Sequence, residues 1–269
     1  MRAALCQVYG EPEVVEVLDV PSPDLGTGQA RVKVHAASVN FPDVLLLANT
    51  YQISMPTPFI PGSEFAGEVL EVGEGVDLDV GARVFGSTMV GAFAEEIVVP
   101  ARSLTRTPPA VGDRIAAAFG VAYRTAYSVL RSTANLQGGE ELIVLGAGGG
   151  VGTAAVQLGA HMGATVTAVA STAEKLEAAR SCGAHRLIQH GVGDLRQAFR
   201  EALPEGADVV VDPVGGDLAE PALRALRWGG RFVTVGYASG TIPRIPLNLV
   251  LLKGVSILGF EMRGFGTHH

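Results

Sequence analysis

The sequence predicts an α/β protein in two parts: a small β-rich part, then a doubly wound parallel sheet. Three observations carry this. Up to about Pro109, short alternating polar and apolar runs are separated by turn residues. From Leu142 the pattern changes to short apolar runs alternating with helical stretches. At the change, an apolar run enters a cluster of glycines that opens a helix.

In the first part, Arg31-Val32-Lys33-Val34-His35-Ala36 alternates as a half-buried strand does. Gly62 to Gly73 and Gly81 to Gly86 read as further strands, with one helix around Phe41 to Ala48. The Ala-rich stretch Ala110 to Leu130 reads as a helical bridge. In the second part, strands are expected at Leu142–Leu145, Thr165–Ala170, Arg186–Ile188, Ala207–Asp212 and Gly230–Gly236. Helices are expected at Thr153–Gly163, Ala173–Cys182 and Leu218–Leu226. Strand, helix, strand at this spacing implies right-handed crossovers and a parallel sheet covered on both faces.

Composition narrows the function classes. Apolar residues make up 48% and charged residues 17%, which suits a packed core rather than disorder. A net charge of −7 with no Lys/Arg run argues against a nucleic-acid surface. Cys6 and Cys182 form no CxxC pair, so neither a structural zinc lobe nor a disulfide framework is expected, and two unexposed thiols are. The N-terminus lacks the pattern of a signal peptide, and the least charged stretch, Leu142 to Ala160, is too rich in glycine for a membrane helix. The expectation is a cytoplasmic protein without membrane or nucleic-acid partners.

The motif that carries chemistry is Leu142-Ile143-Val144-Leu145-Gly146-Ala147-Gly148-Gly149-Gly150-Val151-Gly152. A glycine turn lets the backbone approach a pyrophosphate, and the helix that follows supplies aimed N–H groups and the positive end of its dipole. The fingerprint reads Ala147-x-Gly149-x-x-Gly152, which predicts a Rossmann dinucleotide site. A glycine turn that merely packs closely is the bland alternative. NAD sites usually carry an acid at the end of the second strand. Here that end reads Ala168-Val169-Ala170-Ser171-Thr172, with Lys175 behind it and Glu174 inside the helical turn. Ser171 and Thr172, with Lys175, suit a 2′-phosphate, so NADPH is expected; an ordinary solvated lysine is the competing reading.

The chain resembles the zinc-independent quinone oxidoreductases of the medium-chain dehydrogenase/reductase superfamily over its whole length. The carriers are Val39-Asn40-Phe41-Pro42-Asp43-Val44-Leu45, Tyr51-Gln52, Pro61-Gly62-Ser63-Glu64-Phe65-Ala66-Gly67, Thr125-Ala126-Tyr127, the glycine loop and Asp212-Pro213-Val214-Gly215-Gly216. The resemblance implies a GroES-like domain over residues 1–122, a Rossmann domain over 123–269, and NADPH in the cleft between them. It places the first two zinc-ligand positions of the zinc-dependent relatives at Asn40 and Ser63, neither of which is a workable zinc ligand. The six histidines, His268 and His269 among them, show no ligand-like spacing, and no metal is expected.

The resemblance further implies that Asn40, Asp43 and Tyr51 line the substrate side, with Tyr51 as proton donor. Each has a structural alternative: a turn or helix-start asparagine, an acid facing a helix N-terminus, an aromatic packed on a loop. Thr125, Gly236 and Tyr237 resemble nicotinamide contacts, and His190 falls where relatives carry a tyrosine near the 2′-phosphate. Relatives continue for several tens of residues past this C-terminus and return to the first domain, so a truncated chain is expected. Three functions compete: an NADPH-dependent quinone or enone reductase, an enoyl-thioester reductase, and a non-catalytic NADPH-binding sensor or scaffold. Val255 to Phe260 is expected at a sheet edge, where two copies would pair as a homodimer.

Overall fold

A computed structural model describes residues 1–262 and 264–265. His268 and His269 lie outside the described residues. The chain divides into two compact units, Met1–Val121 and Ala122–His269.

In the first unit, β1 (Arg2–Cys6) and β2 (Val15–Asp19) form an antiparallel pair. A five-stranded antiparallel sheet follows, built from β3 (Gln29–Ser38), β4 (Glu64–Val72), β5 (Arg83–Ser87), β6 (Glu96–Pro100) and β7 (Leu104–Arg106). Its order is β6-β3-β4-β5-β7. Alternation puts Val32, Phe65, Val69, Val84, Ile97 and Val99 into one core. The helix α1 (Phe41–Leu47) leaves the end of β3 and buries Leu46 and Leu47 against Cys6 and Phe59.

The expected helical bridge is interrupted. One short helix, α2 (Asp113–Ala117), ends before Ala118, and α3 (Ala122–Tyr127) starts afresh, running into a π-helical turn at Ser128–Thr133. The break is set by a residue distant in sequence. The Val121 N–H is diverted to the Glu64 carboxylate, Oε2 accepting at 2.8 Å. Gly120 passes so close that a Cβ there would lie 2.5 Å from Ser87 Oγ and 3.2 Å from Glu64 Oε2.

The second unit holds a six-stranded parallel sheet of β8 (Glu141–Leu145), β9 (Thr165–Ala170), β10 (Arg186–Gln189), β11 (Ala207–Asp212), β12 (Leu226–Thr234) and β13 (Ser256–Gly259). The order is β10-β9-β8-β11-β12-β13, every neighbour parallel. The sheet is thus doubly wound, with its switch point between β8 and β11. The helices α4 (Gly150–His161), α5 (Ala173–Ser181), α6 (Leu195–Ala202), α7 (Ala219–Ala225) and α8 (Leu247–Lys253) connect the strands.

The near-continuous apolar strands are explained by two cores. Leu142 and Val144 pack with Ala154 and Ala155 of α4 and Ala126 of α3 on one face. Ile143 and Leu145 pack with Phe199 of α6 and Leu223 of α7 on the other. The strand expected around Val255 to Phe260 is at the sheet edge as β13. Trp228, 80% exposed, sits on β12 towards the end of the sheet opposite the glycine turn, its indole against Gly254. Both cysteines are free; Cys6 is buried as expected, but Cys182 is partly exposed because α5 ends there.

Candidate functional site

In the second unit, the loops after β8, β9, β11 and β12 all lie at the C-terminal ends of the strands, where doubly wound sheets bind ligands. The turn after β8 is held by Gly146, whose φ of +63° favours glycine. Its carbonyl accepts the Gly149 N–H at 2.9 Å. Gly152, in the first turn of α4, lies so close that a Cβ there would sit 2.1 Å from Gly146 O. Gly149 and Gly150 are exposed, and with Val151 they form the start of the twelve-residue helix α4. Unpaired N–H groups and the helix dipole there suit a pyrophosphate.

The end of β9 continues the cradle. Thr172 caps α5, its Oγ1 accepting the Lys175 N–H at 3.3 Å. Lys175 lies over Gly148, where a Cβ would come within 2.5 Å of the lysine Cβ, and its Nζ donates to Ser171 Oγ at 3.3 Å. The His190 N–H donates to Ala170 O at 3.0 Å, and Gln189 Nε2 to Ser171 O at 3.1 Å. Ser171, Lys175 and His190 therefore meet at one strand end with no carboxylate on that strand end. Gln189 joins them, a neighbour that sequence reasoning missed because it depends on the β9–β10 register, Gln189 facing Ala170.

Across the switch point, Val214 approaches Gly146, where a Cβ would meet it at 2.5 Å. Gly236 and Tyr237 follow β12, and the Tyr237 ring packs on Gly215. Thr125 is buried on α3, whose Ala122 and Ala126 share a core with α4. The loop after β11 is organised by Asp212, a fully buried residue missed by sequence reasoning. Its Oδ1 accepts the N–H groups of Val214 at 2.9 Å and Gly215 at 2.8 Å. Burial pushes this carboxyl above the usual carboxylate range, and those two donors only partly oppose it.

In the first unit, Asn40 and Asp43 are brought together with Ser63 and Glu64. The Ser38–Glu64 pairing sets the end of β3 beside the start of β4. Asn40 precedes α1; its N–H donates to Asp43 Oδ2 at 2.7 Å and its carbonyl accepts the Asp43 N–H at 3.0 Å. Helix-start geometry therefore accounts for both residues locally. The Asn40 side-chain Nδ2 is turned to Glu64 Oε1 at 2.8 Å, with Ser63 Oγ at 3.4 Å. Burial raises the Asp43 carboxyl; the Asn40 N–H and the Ser63 hydroxyl pull it down, and the Glu64 charge pushes it further up.

Glu64 is the third residue that sequence reasoning passed over. Acids on strands are ordinarily exposed, yet Glu64 is 1% exposed. Its parity with Ala66, in a run otherwise small or apolar, was the available signal. Tyr51 is half-buried against the cluster of Cys6, Leu46, Leu47 and Phe59. Among the described residues, no group of three His, Cys, Asp or Glu is arranged to hold a metal ion. No helix among them is long and apolar enough to cross a membrane.

Two family models match the chain: the alcohol dehydrogenase GroES-like domain over residues 26–109, and the zinc-binding dehydrogenase over residues 150–268. Quinone oxidoreductase-like protein 2 homolog of Nematostella vectensis is 38% identical over 99% of this chain and 74% of its own length. The Bos taurus quinone oxidoreductase-like protein 2 is 39% identical over 96% of this chain and 74% of its own. Among solved structures, Escherichia coli quinone oxidoreductase complexed with NADPH has a TM-score of 0.91 at 28% identity, covering 98% of this chain and 82% of that one. Quinone oxidoreductase from Thermus thermophilus, also solved with NADPH, has a TM-score of 0.85 at 32% identity, covering 100% of this chain and 83% of that one. A segment of the polyketide synthase GfsB of Streptomyces halstedii is 41% identical over 90% of this chain, a stretch that makes up 4% of the synthase. With its β-rich unit, its doubly wound unit and these relatives, the chain belongs to the quinone oxidoreductase-like oxidoreductases of the medium-chain dehydrogenase/reductase superfamily.

Proposed function

We propose that this protein reduces a quinone or an α,β-unsaturated carbonyl with NADPH and without zinc. The observation that carries the reading is the strand end where Lys175 Nζ and Ser171 Oγ meet beside the exposed start of α4. Two anion sites, one for a pyrophosphate and one for a 2′-phosphate, then lie on consecutive strand ends of one unit. NADPH-bound relatives of the same fold support it.

In this reading residues 1–122 hold the substrate and 123–269 the cofactor. Gly149, Gly150, Val151 and Gly152 cradle the pyrophosphate; Ser171, Lys175 and His190 hold the 2′-phosphate; Thr125, Gly236 and Tyr237 border the nicotinamide. NADPH, when bound, supplies the hydride. Asn40, Asp43 and Tyr51 orient the acceptor and manage the proton, Tyr51 as its donor. An electrophilic acceptor asks for positioning and polar contacts rather than a Lewis acid. Asn40 and Ser63, turned to each other and to Glu64, suit a polar pocket better than a zinc site.

We also infer a cytoplasmic homodimer joined at β13, an open parallel edge flanked by exposed Leu251, Leu252 and Ile257. A thioester acceptor is the second reading, supported by the likeness to a segment of the polyketide synthase GfsB. The test is NADPH or NADH absorbance on addition of quinones, enones and enoyl thioesters. NADPH oxidation by a quinone or enone, with little from NADH, is the expected result. Oxidation by thioesters alone favours the second reading. Binding of NADPH with no oxidation by any acceptor refutes both.

A further inference from the structure

Asp43 and Glu64 are two carboxyl groups, each 1% exposed, joined through a single residue. Asn40 donates its backbone N–H to Asp43 Oδ2 at 2.7 Å and its side-chain Nδ2 to Glu64 Oε1 at 2.8 Å. The second oxygens differ. Glu64 Oε2 accepts the Val121 N–H at 2.8 Å, so each Glu64 oxygen accepts a hydrogen bond. Asp43 Oδ1 is sealed from solvent and accepts no hydrogen bond. Among the described residues, the groups that bear on Asp43 are the Asn40 N–H, the Ser63 hydroxyl and Glu64, with no cation among them. Elsewhere α1 packs on the thiol of Cys6 from β1 and on Tyr51, neither of them cationic. A carboxyl that is buried with one oxygen unpartnered favours its neutral form.

We propose that Asp43 holds a proton at neutral pH. The arrangement is an internal proton store on the substrate unit. Asp43, 1% exposed, is a positioning and proton-holding group rather than one that touches substrate. Its use deepens the reading proposed above and rests on it. When an acceptor gains a hydride, the electron pair ends on its oxygen, and that oxygen needs a proton. Tyr51 gives its hydroxyl proton to the acceptor oxygen; the Asp43 O–H bond then breaks, its proton passing to Ser63 Oγ as the Ser63 hydroxyl proton restores Tyr51. Solvent then returns one proton to Asp43. The acceptor is reduced by two electrons and NADPH is oxidised by two, so the balance is one proton taken from solvent per turnover.

Infrared spectroscopy of the wild-type protein tests where the proton resides, with no turnover needed. A buried carboxylic-acid C=O band at pH 7 that D43N removes is expected. In E64Q, which takes away the neighbouring charge, the same band should disappear at lower pH than in the wild type. D43N preserves an acceptor for the Asn40 N–H, and circular dichroism checks that both variants fold. No acid band at pH 7, or a band that survives D43N, overturns the proposal. The pH profile of NADPH oxidation tests the use of the proton. The wild-type kcat should fall as pH rises through the titration seen in the infrared. D43N should lower kcat at least about tenfold, in line with general-acid contributions, with KM for the acceptor unchanged. Identical profiles in both proteins overturn the supply role. A wild type that shows the band but oxidises no NADPH refutes the enzymatic reading and leaves the buried proton standing.

Discussion

Gly149 and Gly152 lie three residues apart, yet their substitution by alanine should fail in opposite ways. At Gly149 the backbone has φ −91° and ψ 169°, which any residue adopts. A Cβ there would find its nearest neighbour, Gly146 O, at 3.4 Å. G149A should therefore change folding stability by no more than about 0.5 kcal/mol. Its methyl would nonetheless stand where the phosphate must reach the N–H groups of α4. Losing one charge-assisted hydrogen bond costs about 1.5–3 kcal/mol, or about 10- to 150-fold in affinity. At Gly152 the new Cβ would sit 2.1 Å from Gly146 O, 2.7 Å from Gly146 C and 2.9 Å from Ala147 Cα, all of it backbone. The first is about 1.3 Å inside the 3.4 Å of ordinary contact. G152A should lose about 3 kcal/mol of stability, the upper range of overpacking, because no side chain can rotate away. Urea unfolding and fluorescence titration with NADPH separate the two effects. An unchanged NADPH Kd in G149A, or an unchanged midpoint in G152A, would refute the reasoning.

Three more outcomes follow from the geometry. K175A should weaken NADPH about tenfold, more at low salt, and leave NADH unaffected; equal losses for both cofactors would remove Lys175 from the 2′-phosphate. Asp212 has its folded pKa raised by burial, so the native state holds a proton that the unfolded chain gives up near pH 4. Its effect is therefore a loss of stability as pH rises from about 4 through the folded pKa. D212N keeps an acceptor for Val214 and Gly215 and should flatten that slope in urea titrations across pH; parallel slopes would count against it. F199A, which removes a 1%-exposed ring of α6, should cost about 3–5 kcal/mol, seen as a large fall in the melting temperature.

What was readable in the sequence was local. The run Leu142–Leu145 with its glycines showed strand, turn and helix start, because apolar periodicity and glycine are consequences of local backbone demands. The absence of an acid after Ala170 was equally visible, and Lys175 did fall beside Ser171. What escaped was set by contacts between distant residues. An alanine-rich stretch announces a helix, and nothing in it tells that Glu64, 57 residues earlier, takes the Val121 N–H and splits it. Glu64 itself looks like Glu68 and Glu71 on the same strand until Asn40 is folded onto it. Asp212 was quoted as part of a motif; its grip on Val214 and Gly215 is local, but it lies on β11, which only the sheet order places between β8 and β12.

The placement of Trp228 has a spectroscopic consequence. It is the chain's single tryptophan, so indole emission during denaturation reports the melting of the second unit alone. From Trp228 to the end of β12 at Thr234 the strand rises about 20 Å, at 3.3 Å per residue. That separates the indole from the loops at the far end of the sheet by more than contact but within reach of resonance energy transfer. Exciting the indole and watching for emission from a reduced nicotinamide would read occupancy of the cradle directly. The unsubstituted protein thus carries its own optical ruler along the sheet.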